Sequence, residues 1–212
     1  PLNSIIGFSG VLLQGLSGEL SGEQQTQVQM INNSGKRLLD LINGILDLAK
    51  VESRQFSDPV VGPVDIADVA HEMFETVRPI AEAKGLEMRW SGGPDRSIRT
   101  DGQRVGQIVL NLIGNAAKFT SEGYIGVSIT DDVAGIAIAV ADSGCGIAPG
   151  DFAHLFDDFY QATPTDGGKA VGTGLGLAVS RRLAESIGAR IEVASKPGQG
   201  SLFTLHVPDL RA

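Results

Sequence analysis

Apolar residues in the first part of the chain recur at helical spacing. Four of them fall on one side of a helix predicted over residues 1 to about 16: Leu2, Ile5, Leu12 and Leu16. Pro1 suits the first turn of that helix, because its missing N–H has no partner there. Glycines and polar residues interrupt the pattern over residues 15–23, and Ser21 is the predicted N-cap of a second, longer helix.

The second predicted helix carries an apolar seam with alternating spacings of three and four residues, as in a coiled coil. Its members are Val28, Ile31, Leu38, Ile42, Ile45 and Ala49, with Gly35 in the one vacant place. Two antiparallel helices cannot bury such seams alone, so we expect the hairpin to pair with a second copy into a four-helix bundle. The chain is therefore predicted to form a homodimer. Packing of the hairpin on the rest of its own chain is the alternative.

Prolines at positions 59 and 63 break the helical pattern and mark a boundary. We predict a dimerisation hairpin over residues 1–57, a linker over 58–63 and a second domain over 64–212. The chain begins with Pro1, inside the helical pattern and without an initiator methionine. We therefore expect it to be a fragment of a longer protein.

The second domain mixes adjacent strands with helices that would all cover one face. Helices are predicted near residues 66–84, 103–119 and 175–187, and strands near 88–91, 98–100, 125–130, 136–141, 191–195 and 202–207. This order predicts an α+β fold, a two-layer α/β sandwich preceded by an antiparallel helical hairpin.

The composition of the chain limits the kinds of partner that we expect it to bind. No apolar run approaches the roughly 20 residues of a membrane-spanning helix. The net charge of -8 disfavours general attraction to nucleic acid or anionic lipid, so we expect no nucleic-acid partner and no membrane contact for this chain. The single cysteine, Cys145, cannot form an internal disulfide, which fits a reducing, cytoplasmic location.

Polar residues on the 103–119 helix form the first cluster with candidate chemistry. Asn111 and Asn115 are four residues apart and share a face, and Lys118 follows one turn later. Two amide oxygens and an ammonium group can hold Mg²⁺ and its attached phosphates. A polar helix face in solvent is the alternative.

A second cluster, Asp142 to Ile147, directly follows an apolar strand. Asp142 at the strand end could accept a hydrogen bond from the exocyclic amine of a base, and Gly144 and Gly146 would let a ligand approach the backbone. The alternative is a plain turn.

Aromatic residues at helical spacing form the third cluster: Phe152, Phe156, Phe159 and Tyr160. Ligand contact and core packing are both open for them.

The fourth cluster is a glycine-rich run that enters a helix: Gly172, Thr173, Gly174, Leu175 and Gly176. Such a run exposes backbone N–H groups and a favourable helix dipole to anionic phosphates. Its spacing matches neither the phosphate loop that ends in Gly-Lys-Ser/Thr nor a dinucleotide fingerprint.

In this order the four clusters resemble the N box, first glycine box, phenylalanine box and second glycine box of sensor histidine kinases of two-component systems. The segment Pro1–Ser9 resembles the end of that family's H box. The resemblance covers nearly the whole chain. It implies a Bergerat-type ATP-binding domain of the gyrase, chaperone, histidine kinase and mismatch-repair superfamily, with ATP and Mg²⁺ as cofactors.

The resemblance assigns roles only to matching positions. It implies that Asn115 coordinates Mg²⁺, with Asn111 beside it, and that Asp142 binds the adenine amine. Residues 161–173 would form a mobile lid over the triphosphate, and Ser201 would add a weaker adenine contact. The remaining implied ATP-binding residues are Lys118, Gly144, Gly146, Ile147, Phe159, Lys169, Gly172, Thr173, Gly174, Leu175 and Gly176.

The resemblance also implies a phosphate-accepting histidine a short distance before the proline that is residue 1 here. We therefore expect no catalytic acceptor in this chain and no self-phosphorylation. His71, His154 and His206 are far from the H box, and we interpret them as structural. The implied partners are a response-regulator receiver domain and an upstream sensor domain of a parent protein that can be membrane-anchored.

Three other classes of function stay open. ATP-hydrolysing relatives with the same pocket carry a glutamate where Asn111 stands, to activate water, and an amide cannot act as that base. A non-catalytic module that binds nucleotide or only dimerises is the second class. Serine-directed kinases with this fold are the third, and they usually lack a coiled-coil hairpin.

Overall fold

The computed structural model describes residues 1–52, 58–94, 96–162 and 173–211. The chain divides into two compact units, Pro1–Ala49 and Lys50–Ala212. The predicted end of the hairpin at residue 57 falls outside the described residues and stays a prediction. Among the described residues, no helix is both long enough and apolar enough to cross a membrane.

The first unit contains helix α1, Leu2–Leu13, and most of helix α2, Gly22–Glu52. Ser21 caps α2 as predicted: its Oγ accepts a hydrogen bond from the Gln24 N–H, while Gln24 Oε1 accepts one from the Ser21 N–H. Helix α1 ends earlier than predicted, so Leu16 lies beyond it. The reason is local, since Gly15 adopts a left-handed conformation with φ 73° that leaves the helix.

A polar pair is buried between α1 and α2. Asn32 Nδ2 donates to Ser9 Oγ at 2.8 Å and to the Ile6 carbonyl at 2.9 Å, and both side chains are almost fully buried. Nearby, a side chain at Gly35 would come within 3.0 Å of Ile6 Cγ1, so glycine permits the close approach of the two helices there.

Three members of the apolar seam, Ile31, Leu38 and Ile42, are exposed in the single chain. Ile31 is 52% exposed and Leu38 is 49% exposed. An open groove of about 360 Å³ runs along this surface, lined by Leu2, Ile5, Met30, Ile31, Ser34, Gly35 and Leu38.

The second unit has one five-stranded sheet and one two-stranded sheet. The larger sheet consists of β2 (Glu87–Ser91), β4 (Tyr124–Asp132), β5 (Gly135–Asp142), β6 (Arg190–Ser195) and β7 (Ser201–Pro208), in the order β2-β4-β5-β7-β6. Only the β2–β4 pair is parallel among these ladders. The smaller sheet pairs β1 (Gly62–Asp65) antiparallel to β3 (Ser97–Thr100).

Helices α3 (Ile66–Glu82), α4 (Gly102–Phe119) and α5 (Gly176–Ser186) form the second layer. Alternate residues of the central strands are buried beneath them, as in Ile136, Ile138 and Val140 of β5. Asp65 caps α3 and Asp101 caps α4 through their carboxylates. The predicted two-layer sandwich is thus present.

Strand β1 is the element that the sequence interpretation missed. Residues 62 and 63 were assigned to the linker because prolines break regular structure, yet Pro63 pairs with Arg99 in the two-stranded ladder. A proline is tolerated there because an edge strand leaves one row of N–H groups without ladder partners.

Candidate nucleotide-binding site

Helix α4 carries the predicted polar face. Asn111, Asn115 and Lys118 are all partly buried. Asn111 Nδ2 donates a hydrogen bond to Ser180 Oγ on α5 at 2.8 Å. Within the described part of the chain, the Asn115 side chain has no hydrogen-bond partner, which leaves its amide oxygen available to a ligand.

The C-terminal turn of α4 is held by Lys84, which lies in the turn after α3. Lys84 Nζ lies 2.6 Å from the Ala117 carbonyl and 3.5 Å from the Lys118 carbonyl. A cation at this end of a helix satisfies free carbonyls and complements the helix dipole. Lys84 therefore fixes the turn from which the Lys118 side chain extends.

Asp142 ends strand β5 and is only 8% exposed. Its Oδ1 accepts a hydrogen bond from the Gly144 N–H at 2.8 Å. Burial raises the pKa of the Asp142 carboxyl, against the opposing effect of hydrogen bonds from the Gly144 and Ser201 backbones. A buried carboxylate with acceptor capacity left is a directional acceptor for an amine.

The segment after β5 packs on the end of α4. The Cys145 N–H donates to the Phe119 carbonyl at 3.3 Å, and a side chain at Gly144 would collide with that same carbonyl. Glycine at 144 is thus required by close approach of two backbones. This contact brings the Asp142 cluster to the end of the helix that carries Asn115 and Lys118.

The other side of the Asp142 segment is held by β6 and the turn that follows it. The Ile147 N–H donates to Ser195 Oγ at 2.9 Å, and Ser195 Oγ lies 3.0 Å from Ser201 Oγ. A side chain at Gly146, where φ is 69°, would strike the Lys196 carbonyl. Ser201 pairs with Asp142 across the β5–β7 ladder. Ser201 therefore lies beside Asp142 in the sheet, and its predicted adenine contact stays a prediction.

The described part of the glycine-rich run leads into α5. Leu175 is fully buried, and its N–H donates to Thr173 Oγ1 at 3.3 Å. Gly174 has φ 74°, and a side chain there would come within 2.5 Å of the Phe159 backbone. The third and fourth predicted clusters thus meet backbone to backbone.

The aromatic cluster is not helical, contrary to its spacing. A short 3-10 helix, Pro149–Asp151, is followed by turns. Phe159 has φ 62°, rare for a non-glycine residue, and its side chain is 55% exposed. Tyr160 Oη donates to Asp151 Oδ1 at 2.7 Å and ties the segment back to the 3-10 helix. Leu155, rather than a phenylalanine, is its buried anchor.

The structure joins the four clusters through contacts along α4, α5 and the Phe159 turn. Lys169 and Gly172 lie outside the described residues, so their predicted roles stay predictions. The sequence analysis did not identify Lys84 or Ser180 as residues that contact α4. For Ser180 one signal was available, because it follows Gly176 by one helical turn and therefore lies on the same face of the helix.

The three histidines each lie near a carboxylate, and His154 lies within the aromatic cluster, with its ring centroid 5.5 Å from that of Tyr160. His71 lies near Glu75, His154 near Asp157 and His206 near Asp132. None of the three contacts the residues assigned to nucleotide binding within the described ranges.

Residues 100–211 match the family described as histidine kinase-, DNA gyrase B- and HSP90-like ATPase. The chain belongs to this family. Residues 1–54 of the same chain also match the His kinase A phospho-acceptor domain. The chain therefore combines the two domains of a sensor histidine kinase core, which confirms the predicted resemblance.

Named relatives agree with this assignment. The aerobic respiration control sensor protein ArcB of Escherichia coli is 38% identical over 218 residues, which cover 99% of this chain and 27% of that protein. Histidine protein kinase DivJ of Caulobacter vibrioides is 34% identical over 214 residues, covering 100% of this chain and 36% of DivJ. The chain thus spans about a third or less of the length of these curated relatives.

Solved structures confirm the fold. Full-length ShkA in complex with AMPPNP matches 98% of this chain and 43% of its own, at a TM-score of 0.74 and 34% identity. The histidine kinase AdeS of Acinetobacter baumannii matches 99% of this chain at a TM-score of 0.68 and 20% identity, a likeness of fold alone. The second domain is an ATP-binding domain of the histidine kinase type.

Proposed function

We propose that this chain is the ATP-binding kinase core of a sensor histidine kinase. It would donate the γ-phosphoryl group of ATP to a histidine of the parent protein, for relay to an aspartate of a response regulator. The observation that carries this proposal is the contact between the Asp142 segment and the end of α4, because it joins an adenine acceptor to a phosphate-binding helix.

Asp142 is the residue that would select adenine. Its side chain is almost fully buried, and it accepts hydrogen bonds from the Gly144 and Ser201 backbones. Because each carboxylate oxygen can accept two hydrogen bonds, the group can also accept one from the exocyclic amine. Gly144, Gly146 and Ile147 would shape the wall of the base pocket, and Ser201 would add a contact beside the carboxylate.

Asn115 is the proposed ligand of Mg²⁺. An amide oxygen without a competing partner suits this ion, which takes oxygen ligands and keeps several waters. Bound Mg²⁺ would supply charge neutralisation for the triphosphate. Lys118 and the backbone N–H groups of residues 173–176 would contact the phosphates, with Lys169 closing from the lid.

Asn111 favours phosphoryl transfer to an acceptor over hydrolysis. The position that supplies a glutamate base in the hydrolytic relatives holds an amide here, and that amide donates to Ser180. Water bound nearby would have no general base at this position.

The exposed seam of the hairpin supports a homodimer in which two copies form a four-helix bundle. A receiver domain and an upstream sensor domain of the parent protein would be the other partners. We place the chain in the cytoplasm, where ATP is available.

Calorimetry with AMPPNP and Mg²⁺ tests nucleotide binding directly. We expect Asp142→Asn and Asn115→Ala each to abolish measurable binding while the fold is retained, and Asp68→Asn, an exposed carboxylate on α3, to leave it unchanged. A wild-type chain that binds no AMPPNP would contradict the proposal.

The transfer step is tested in the parent protein with γ-labelled ATP. We expect an acid-labile label on a histidine, dependent on Asn115 and Mg²⁺. Steady release of labelled phosphate with an unlabelled protein would instead support an ATPase, and binding without either product would support a non-catalytic module.

A further inference from the structure

The amide of Asn111 links helix α4 to helix α5. Its Nδ2 donates to Ser180 Oγ at 2.8 Å, and Ser180 is 1% exposed. A hydroxyl buried this deeply has little access to water, so the amide is its natural partner. The bond therefore fixes the lateral position of the first turns of α5 against α4.

Gly176 brings the start of α5 directly beneath that amide. A side chain at position 176 would lie 3.1 Å from Asn111 Cγ and would collide with its Oδ1. Ser180 follows Gly176 by four residues and thus shares its face of the helix. Asn111 consequently contacts α5 at two successive turns, directly after Gly174 and Leu175 of the glycine-rich run.

The far end of α5 has its own link to α4. Arg104 Nη1 donates to Ser186 Oγ at 2.8 Å, two helical turns before Asn111 along α4. The two helices therefore run antiparallel with one polar link near each end of α5. The Asn111 link is the one at the phosphate-binding end.

Asn111 and Asn115 differ in their surroundings although they lie on one helix face. The Asn115 amide has no partner among the described residues, whereas the Asn111 amide is engaged with Ser180 and packed on Gly176. One side chain is arranged to receive a ligand, and the other is arranged to hold a helix.

We propose that Asn111 is a positioning residue that acts through Ser180. It sets the distance between Asn115 on α4 and the N-terminal amides of α5. Asn115 could then bind Mg²⁺ while those amides bind the phosphates of the same nucleotide. The inference rests on the proposed function, and it assigns to Asn111 a role other than metal ligation.

A double-mutant cycle on nucleotide binding tests this role. We expect Ser180→Ala to weaken AMPPNP binding by about tenfold, the effect of leaving one buried polar group without its partner. The double variant Asn111→Ala/Ser180→Ala should bind no more weakly than Asn111→Ala alone, because both changes remove the same link. Binding of adenosine, which lacks phosphates, should change less than about twofold in every variant.

Ser186→Ala is the matched control, since it removes the hydroxyl at the other end of the same helix. We expect its AMPPNP affinity to stay close to that of the wild type. Gly176→Ala offers a second route, because its side chain would push the Asn111 amide away and should reproduce the phosphate-specific loss with both asparagine and serine present.

Three outcomes would overturn the inference: unchanged AMPPNP affinity in Ser180→Ala, additive losses in the double variant, or equal losses for adenosine and AMPPNP. A higher Mg²⁺ requirement in Asn111→Ala that Ser180→Ala does not share would identify Asn111 as a metal ligand instead. If the wild-type chain binds no AMPPNP, the proposed function fails first; if it binds and Ser180→Ala is neutral, only this inference fails.

Discussion

Asp101 and Arg104 form a buried ion pair in the first turn of α4, with 3.3 Å between Asp101 Oδ2 and Arg104 Nε and side chains that are 8% and 7% exposed. The pair is also part of a network. Asp101 accepts from the N–H groups of Val60 and Arg104, and Arg104 donates to Ser186. It therefore connects the segment before β1, the start of α4 and the end of α5.

Arg104→Met should lower the free energy of unfolding by about 3–5 kcal/mol, because it leaves the Asp101 carboxylate buried without its cation. Urea denaturation measures the change. The control is Arg181→Met on α5, which removes an exposed pair with Glu185 and should cost less than about 1 kcal/mol. Similar losses in both variants would mean that the buried pair has no special role.

Asp142→Asn should separate stability from binding. The raised pKa of Asp142 means that the folded state favours the protonated carboxyl. The stabilisation that comes from protonating Asp142 is fully present below the ordinary aspartate pKa of about 3.9. It is lost as the pH rises through the raised pKa of Asp142 in the folded state. At neutral pH the amide variant, which cannot ionise, should be as stable as the wild type or more stable, although it loses adenine recognition.

The measurement for Asp142 is urea unfolding of both proteins from about pH 4 to pH 8. The stability difference in favour of Asp142→Asn should grow with pH across the lower part of this range and then level off. A variant that becomes progressively less stable than the wild type as pH rises would show that the ionised carboxylate is the form that the fold prefers.

Gly174→Ala should lower the free energy of unfolding by about 2 kcal/mol or more, since alanine at φ 74° is strained and its side chain meets the Phe159 backbone. Gly150→Ala is the matched control, because no atom lies within 4 Å of its side chain. Thermal unfolding compares the two. Equal melting temperatures would contradict the close contact between the glycine-rich run and the Phe159 turn.

Lys84→Met should destabilise the C-terminal turn of α4, at a cost of about 1–2 kcal/mol, because the Ala117 carbonyl loses a charged donor. Lys84→Arg keeps the charge and should recover part of the loss. Hydrogen exchange at residues 116–120 locates the effect. Faster exchange elsewhere, with this turn unchanged, would contradict the capping role of Lys84.

Leu38→Lys should convert a dimer into a single chain, because it places a charge in the exposed seam of α2. Gln27→Lys adds the same charge at another exposed position of α2 and should leave the mass unchanged. Light scattering measures the molecular mass of each variant in solution. A wild-type mass of one chain, or no difference between the variants, would remove the proposed pairing.

Helices and strands could be predicted where apolar residues recur with a clear helical or alternating period. The alternation in β4 and β5 and the helical period of α4 indicated both type and approximate bounds. Strand β1 was missed because its proline indicates a break, whereas pairing with β3 depends on residues far along the chain. The turns around Phe159 could not be predicted, because the periodic spacing of aromatic residues does not report a left-handed backbone.

Candidate site residues could be predicted because clustered glycines and isolated asparagine and aspartate residues are visible in the local sequence. Their partners could not be predicted in the same way. Ser180 and Lys84 have ordinary surroundings in sequence, and only the packing of α5 and of the turn after α3 on α4 brings them to Asn111 and Ala117. The roles of all these residues in nucleotide binding remain predictions.

The Ser9–Asn32 pair gives the hairpin a unique alignment. Sliding α2 along α1 by one turn would move the Asn32 amide away from Ser9 Oγ and the Ile6 carbonyl and leave it buried without these partners. A chimaera that grafts α1 onto the second helix of a related protein would therefore need to transplant both polar side chains together.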